Sequence, residues 1–341
     1  MKLALISGIS GQDGSYLAKY LLDLGYRVIG GTKVKDIIPD GIKKLGISNK
    51  IEIIDLDFTN ENNIFSVIEK YKPDEFYNLA AQSSVGKSFL SPLETSRINA
   101  FGVAYLLEAI RLKSKNTKLF QASSSEIFGN EILISENSHC IPNNPYSTSK
   151  TFGHLLTQNY RDIFGLYLVS GILYNHDSEL RGENFFTKSV SRHVANYFLG
   201  KKEVLRVGNI YVKRDIGYAP EYVKAMHITL QGEKAEDFII STGKSELIKN
   251  FINYCFNAIS IQLEWKGEGI NEKGFRSQSG ELLVEISPEK FRPTDTPIQE
   301  SNPSKIFNVH GWKATKSLSD IAKIMVEYDI SELKKTTPNH P

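Results

Sequence analysis

Tyr146 and Lys150 stand four residues apart in the run Tyr146-Ser147-Thr148-Ser149-Lys150. On a helix that spacing puts both side chains on one face. A free tyrosine, with a pKa of about 10, is a poor base at neutral pH. A neighbouring positive charge favours the phenolate and makes the pair able to take a proton from an alcohol. The same spacing also occurs between ordinary neighbours on an amphipathic helix. Earlier in the chain lies Ser123-Ser124-Ser125-Glu126. Ser124 offers a hydroxyl to bond a substrate oxygen. Glu126 offers a carboxylate that can remove or deliver a proton, although a solvated loop acid or a helix cap would read the same way.

The elements that must position these groups follow from the patterning. Residues 3–7, 27–30, 51–55, 75–80, 118–122 and 167–171 are short apolar runs that read as strands. Between them, residues 13–24, 61–70, 95–112 and 146–164 carry helical apolar spacing. Such alternation predicts parallel βαβ units and an α/β fold: a doubly wound parallel sheet of the Rossmann type. On this reading Ser124 and Glu126 follow the fifth strand, outside the carboxyl ends where ligands bind in open α/β sheets.

Gly8-Ile9-Ser10-Gly11-Gln12-Asp13-Gly14 follows the first strand and opens the first helix. Gly8 permits a tight turn, Gly11 a close approach of backbone to a pyrophosphate, and Gly14 close packing of helix on strand. The helix N-terminus then presents N–H groups to phosphate. The motif predicts a dinucleotide, whose oxidised nicotinamide would be a second positive charge beside Tyr146. Lys150 is expected to bond the cofactor ribose. The second strand ends Gly30-Gly31-Thr32-Lys33-Val34-Lys35. It lacks the acid that holds an NAD ribose 2′-OH, and Lys33 suits a 2′-phosphate, so NADP is favoured with NAD as the alternative. Lys33 and Lys35 also fit a solvated loop. Asp57, after the third strand, could bond an adenine amino group or cap the next helix.

After about residue 174 the alternation blurs into basic, aromatic, loop-rich segments. We expect the dinucleotide-binding domain to comprise residues 1–174 plus about 204–244, with residues 238–242 as a further strand. A smaller, mostly C-terminal substrate-binding region should take about 175–203 and 245–333, with 334–341 as a polar tail. Lys+Arg total 41 and Asp+Glu 39, a net charge of +2, which excludes a wholesale nucleic-acid or membrane surface. Any anionic ligand must be met by a few local cations. The two cysteines, Cys140 and Cys255, show no metal-ligand spacing and suit a reducing compartment. No apolar run of about 18 residues and no leader-like segment stands out, so a cytoplasmic location is expected.

These motifs resemble those of GDP-mannose 4,6-dehydratases over about residues 1–330. The resemblance rests on Gly11-Gln12-Asp13-Gly14-Ser15-Tyr16-Leu17, Tyr77-Asn78-Leu79-Ala80-Ala81-Gln82-Ser83, Gln121 to Glu126, and Tyr146 to Lys150. It extends to Asn175-His176-Asp177-Ser178, Arg181 to Phe185, Lys213-Arg214-Asp215 and Arg292-Pro293-Thr294. It implies that Ser124 and Tyr146 hold the hexose 4-OH, that Tyr146 takes its proton, and that Glu126 removes the C5 proton as water leaves C6. The same resemblance puts Gly8, Gly11, Gln12, Asp13, Gly14, Lys33, Asp57, Phe58, Ala80, Gln82, Tyr146 and Lys150 at the cofactor. Ser88 and Asn175 map to substrate, and Arg181, Lys188, Arg214 and Arg292 to the diphosphate or nucleotide of a GDP-sugar. It also implies a homodimer or homotetramer.

Departures accompany the match. Lys33-Val34 stands where the family has paired arginines, the following loop is shorter, and Arg214-Asp215-Ile216-Gly217 replaces an Arg-Asp-Trp-Gly pattern. This drift also fits a GDP-heptose dehydratase. A 4-keto-sugar reductase or epimerase on the same scaffold, or a binding protein without catalysis, are the remaining readings.

Overall fold

The computed structural model describes residues 1–290 and 300–336. The chain divides into two compact units. The first is built from Met1–Tyr174, Ala219–Ser241 and Ser301–Ala314; the second from Asn175–Tyr218, Thr242–Glu300 and Thr315–Pro341.

The first unit holds seven parallel strands: β1 (Leu3–Ser7), β2 (Arg27–Thr32), β3 (Glu52–Asp55), β4 (Glu75–Asn78), β5 (Lys118–Ala122), β6 (Leu168–Leu173) and β7 (Phe238–Ile240). Their order across the sheet is β7-β6-β5-β4-β1-β2-β3. The chain therefore winds outward from β1 to β3, returns to β4 beside β1, and winds the other way. The crevice beyond the carboxyl ends of β1 and β4 is the switch point where such sheets bind ligands. Helices α1 (Gln12–Asp23), α2 (Glu61–Tyr71), α3 (Gly102–Lys113) and α4 (Pro145–Phe164) belong to this unit. Leu5, Ile29, Phe76, Leu119 and Leu168 from the strands form one core with Ile64 and Ile68 of α2 and Val103 and Leu107 of α3. Each such side chain, fully buried, stabilises the fold by about 1.5–3 kcal/mol. The strand expected at 238–242 does rejoin this sheet, pairing with β6.

The far half of α4 is fastened by charge. Asp237, just before β7, accepts hydrogen bonds from Arg161 Nη1 at 2.8 Å and Gln158 Nε2 at 2.6 Å, both on α4. It also accepts the Ser170 N–H at 3.2 Å. Burial acts to raise the Asp237 carboxyl, but Arg161 and His154 outweigh it and hold it below the usual carboxylate range.

The second unit pairs Asn175–Asp177 with Lys213–Tyr218 in parallel, and Lys213–Tyr218 with Ser245–Leu247 antiparallel. A separate sheet runs Leu263–Lys266, Lys273–Arg276, Leu282–Ile286, Leu205–Val207. Helices α5 (Phe186–Phe198), α6 (Ile248–Asn257) and α7 (Leu318–Thr336) enclose Val190, Val194, Phe251, Phe256, Ile321 and Met325. Residues 204–218, expected with the first unit, belong here because both of their strands pair with partners of the second. Helix α7 continues to Thr336, into the stretch expected as a tail. Cys140 and Cys255 are free thiols. Among the described residues no helix is long and apolar enough to cross a membrane.

Candidate active site

The site begins where β1 ends. Gly8 has φ of +70°, and a Cβ there would lie 2.8 Å from backbone atoms of Leu79 and Ala80. A Cβ on Gly14 would lie 2.5 Å from the Gly8 carbonyl oxygen. Only glycine allows this turn to nest against the end of β4 and α1 to start so close to it. Gly11 is the N-cap of α1 and brings no side-chain cap, which suits a helix end that receives phosphate. Gln12 and Asp13 occupy the first turn of α1.

Beside it, Ser7 Oγ accepts the Leu79 and Ala80 N–H groups at 3.1 and 3.2 Å and donates to Asn78 Oδ1 at 2.7 Å. Lys33, just past β2, pairs with Asp57 Oδ1 at 3.0 Å. Partial burial acts to raise the Asp57 carboxyl, but the Thr59 N–H and hydroxyl, together with Lys33, hold it below the usual range. Asp57 does not cap the following helix; Asn60 does, accepting from Asn63 N–H. The Phe58 side chain is buried in the core.

After β5 the chain makes a short 3₁₀ turn, Ser125–Phe128, capped by Ser124, whose Oγ accepts the Glu126 N–H at 3.2 Å. The cap fixes Ser124 and leaves its O–H as a donor. Helix α4 starts with a capping box: Asn144 Oδ1 accepts the Ser147 N–H at 2.8 Å and Ser147 Oγ accepts the Asn144 N–H at 3.1 Å. Pro145 occupies the first helical position. Tyr146 is thereby locked in the first turn, with Lys150 one turn further on the same face. Tyr146, Lys150 and Ser124 are all at least nine-tenths buried, and Glu126 is half-buried. Lys150 Nζ donates to the Ala122 carbonyl at 2.6 Å. Burial lowers its pKa to about 8.

Asn99 was not expected from the sequence. It sits in a π-helical turn, Arg97–Phe101, within a helix running on into α3. Its side chain accepts the Gln82 N–H at 2.9 Å and donates to the Gln82 carbonyl at 3.0 Å and to Ser149 Oγ at 3.2 Å. Ser149 Oγ in turn donates to the Tyr146 carbonyl at 2.7 Å. Asn99 thus ties the loop after β4 to the first turn of α4. The only sequence signal was a polar residue on an apolar helix face, where a buried amide must find partners.

The structure brings the glycine turn, Ala80, Gln82, Ser124, Glu126, Tyr146 and Lys150 to the carboxyl edge of one sheet. Ser88, expected at the substrate, is buried with its hydroxyl donating to the Val85 carbonyl at 2.7 Å. The remaining expected contacts lie in the second unit. Asn175 is exposed at a strand start. Arg181 pairs with Asp177 at 2.8 Å and stacks on the Phe185 ring, 3.6 Å from its centroid. Arg214 is half-buried and donates to the Lys213 carbonyl at 2.9 Å. Lys188 is buried in an ion pair with Asp329 and also donates to the Glu179 carbonyl at 2.9 Å, so its charge is already matched within the protein. Arg292 lies outside the described residues. The second unit also has a cleft of about 660 Å³ lined by Glu183, Lys188, Arg192, Asn196, Arg206 and Lys290, among others.

The family model described as GDP-mannose 4,6 dehydratase matches residues 5–325. The chain belongs to the GDP-mannose 4,6-dehydratase family. A GDP-mannose 4,6-dehydratase from Sinorhizobium fredii is 36% identical over 356 residues, covering 98% of each chain. Two solved structures share the fold at lower identity. RMD from Pseudomonas aeruginosa, complexed with NADPH, has a TM-score of 0.77 at 18% identity, covering 97% of this chain and 100% of that one. A dTDP-glucose 4,6-dehydratase from Bacillus anthracis in complex with NAD has a TM-score of 0.79 at 17% identity, covering 98% of each. In this member of the GDP-mannose 4,6-dehydratase family Ser124 and Glu126 lie in the turn after β5, and Tyr146 and Lys150 on α4.

Proposed function

We propose that the chain is a hydro-lyase that converts GDP-mannose to its GDP-4-keto-6-deoxy derivative, with NADP as its resident cofactor. The observation that carries the reading is the Ser124-capped turn. It holds Ser124 and Glu126 together at the end of β5, whose Ala122 carbonyl also receives Lys150 of α4, and this supports the reading. The named relatives across the full chain length support the substrate.

The residues present fit a dinucleotide: a Cβ would fill the Gly8–Gly14 cradle, and α1 opens without a side-chain cap. A bound nicotinamide would supply the acceptor for the C4 hydride and the same hydride for C6, which would make the reaction redox neutral. Lys33 would meet a 2′-phosphate, and Lys150 the nicotinamide ribose. Tyr146 takes the O4 proton at its phenolic oxygen, helped by the Lys150 charge. Ser124 donates to O4 and orients the sugar. The new 4-ketone acidifies C5–H. Glu126 accepts that proton and passes it to the C6 oxygen, which leaves as water; once C6 is reduced, Glu126 delivers a solvent proton to C5 and Tyr146 releases the O4 proton, restoring both groups. The fixed placement of these groups replaces three separate encounters by one.

The cleft of the second unit is lined by Arg192, Arg206 and Lys290, cations of the kind that suit phosphate oxygens. Arg192 pairs with Glu183 at 3.3 Å and Lys290 donates to the Arg206 carbonyl at 3.1 Å, both nearer the surface than Lys188, which is buried against Asp329. The protein is further read as a cytoplasmic homo-oligomer. Two free thiols support the compartment. The exposed apolar residues Leu93, Phe101, Phe152 and Leu155 in the first unit suit a second copy.

The test is a panel of GDP-, UDP- and dTDP-sugars with mass detection. Loss of one water from GDP-mannose without net NADPH consumption is expected. Glu126→Gln should bind the sugar nucleotide but stop C5 proton exchange with solvent. Stoichiometric NADPH consumption, or equal turnover of UDP- and dTDP-sugars, would overturn the reading.

A further inference from the structure

Ala122 ends β5, and its carbonyl accepts two side-chain donors: Lys150 Nζ at 2.6 Å and Gln121 Nε2 at 3.1 Å. Gln121 Oε1 accepts Asn78 Nδ2 at 2.8 Å, and Asn78 Oδ1 accepts the Ser7 hydroxyl at 2.7 Å. Ser7 Oγ is itself held by the Leu79 and Ala80 N–H groups. Ser7, Asn78 and Gln121 are each 3% exposed or less. The three side chains cross β1, β4 and β5 as one continuous buried column, from the residue before Gly8 to the partner of Lys150. A one-way run of donors polarises each bond in turn, and a buried network of this kind is fully satisfied or costly.

We infer that Gln121 is a positioning residue for Lys150: backed by Asn78 and Ser7, its amide shares the Ala122 carbonyl and so sets where, and how tightly, the ammonium group is held. Two donors on one oxygen compete. The Gln121 N–H weakens the hold of Ala122 on Lys150 and leaves the ammonium able to turn toward a ribose hydroxyl. The same partial positive charge works against the ammonium, in the direction that burial already pushes it. No ionised side chain contributes to that shift. The titratable groups on the neighbouring elements are Tyr146 and His154, one turn either side on α4, and Glu126 after β5.

The inference rests on the cofactor role given to Lys150 above, and one experiment separates the two. NADPH binding to the intact protein is titrated by fluorescence from pH 6 to 10, alongside kcat and KM for GDP-mannose. Wild type should show an ionisation near 8. Gln121→Glu keeps the acceptor for Asn78 but removes the competing N–H and adds a carboxyl group. It should move that ionisation upward by about one pH unit or more. Gln121→Met should lower kcat about tenfold with KM nearly unchanged, since the sugar is not touched. Asn78→Asp, one link further away, should shift the ionisation in the same direction by less. If the Met variant does not fold, the Glu and Asp variants decide by the ionisation alone. An unmoved ionisation in the folded Glu variant would overturn the inference while leaving the dehydratase reading intact. Failure of wild type to bind NADPH or to turn over GDP-mannose would instead remove the reading beneath it.

Discussion

Replacing Lys150 by methionine should stabilise the protein while destroying its activity. Lys150 is buried, and burial draws its pKa from an ordinary 10.5 down to about 8. At roughly 1.4 kcal/mol per pH unit, carrying that charge costs the folded state on the order of 3 kcal/mol. Methionine has a similar shape and no charge. It forfeits the bond to Ala122, worth about 1 kcal/mol, but the carbonyl keeps Gln121 as a donor and is not orphaned. The net gain is about 2 kcal/mol. Its pH dependence has a definite sign. Below the folded pKa of about 8 both folded and unfolded lysines are charged, and the full penalty applies. Between about 8 and 10.5 the unfolded chain binds more protons, so wild type gains stability as pH rises and the advantage of the variant fades. Thermal melts of both proteins without cofactor, at pH 7 and pH 10, read this directly. A variant less stable than wild type at pH 7, or a difference that does not shrink by pH 10, would show that the lysine charge is compensated and that the burial argument fails.

Gly8→Ala should cost about 2–3 kcal/mol and weaken NADPH binding, since the new Cβ meets backbone at 2.8 Å and φ is positive; melts and fluorescence titration measure both. Asn99→Leu should cost about 2 kcal/mol or more, because the Gln82 N–H and carbonyl lose their partner, and kcat should fall as the first turn of α4 loosens; denaturation and steady-state kinetics check it. Lys33→Ala should reduce the preference for NADPH over NADH about tenfold, read as a ratio of dissociation constants; an unchanged ratio would mean that Lys33 serves Asp57 alone.

The proposed catalytic face is readable in the sequence because its signals are local. Four-residue spacing on a helix, a glycine turn after an apolar run and a polar Ser-Ser-Ser-Glu stretch after a strand all declare themselves within a short window. The alternation of strands and helices carried the sheet, and even the late strand at β7. What escaped was pairing across distance. Nothing in residues 204–218 says which sheet they join, because short strands advertise a period and not a partner. Lys188 reads as a loose cation, yet Asp329, far along the chain, neutralises it. Asn78 and Gln121 stand within quoted motifs and Asn99 on an apolar helix face, but the partners of their amides appear only in the fold. Phe58, which the resemblance puts at the cofactor, has its side chain in the core, so any contact it makes there is through its backbone.

The sheet of the first unit is not laid down in one pass. β6 is complete at Leu173, but its neighbour β7 begins only at Phe238. On a ribosome, at about 5–20 residues per second, the nascent chain spends on the order of several seconds with Leu168–Leu173 as a bare apolar margin. Such a margin invites pairing with another unfinished chain. Production of this protein should therefore respond to chaperone supply and to slow codons between those two strands. Any fragment cut at residue 174 should precipitate rather than fold.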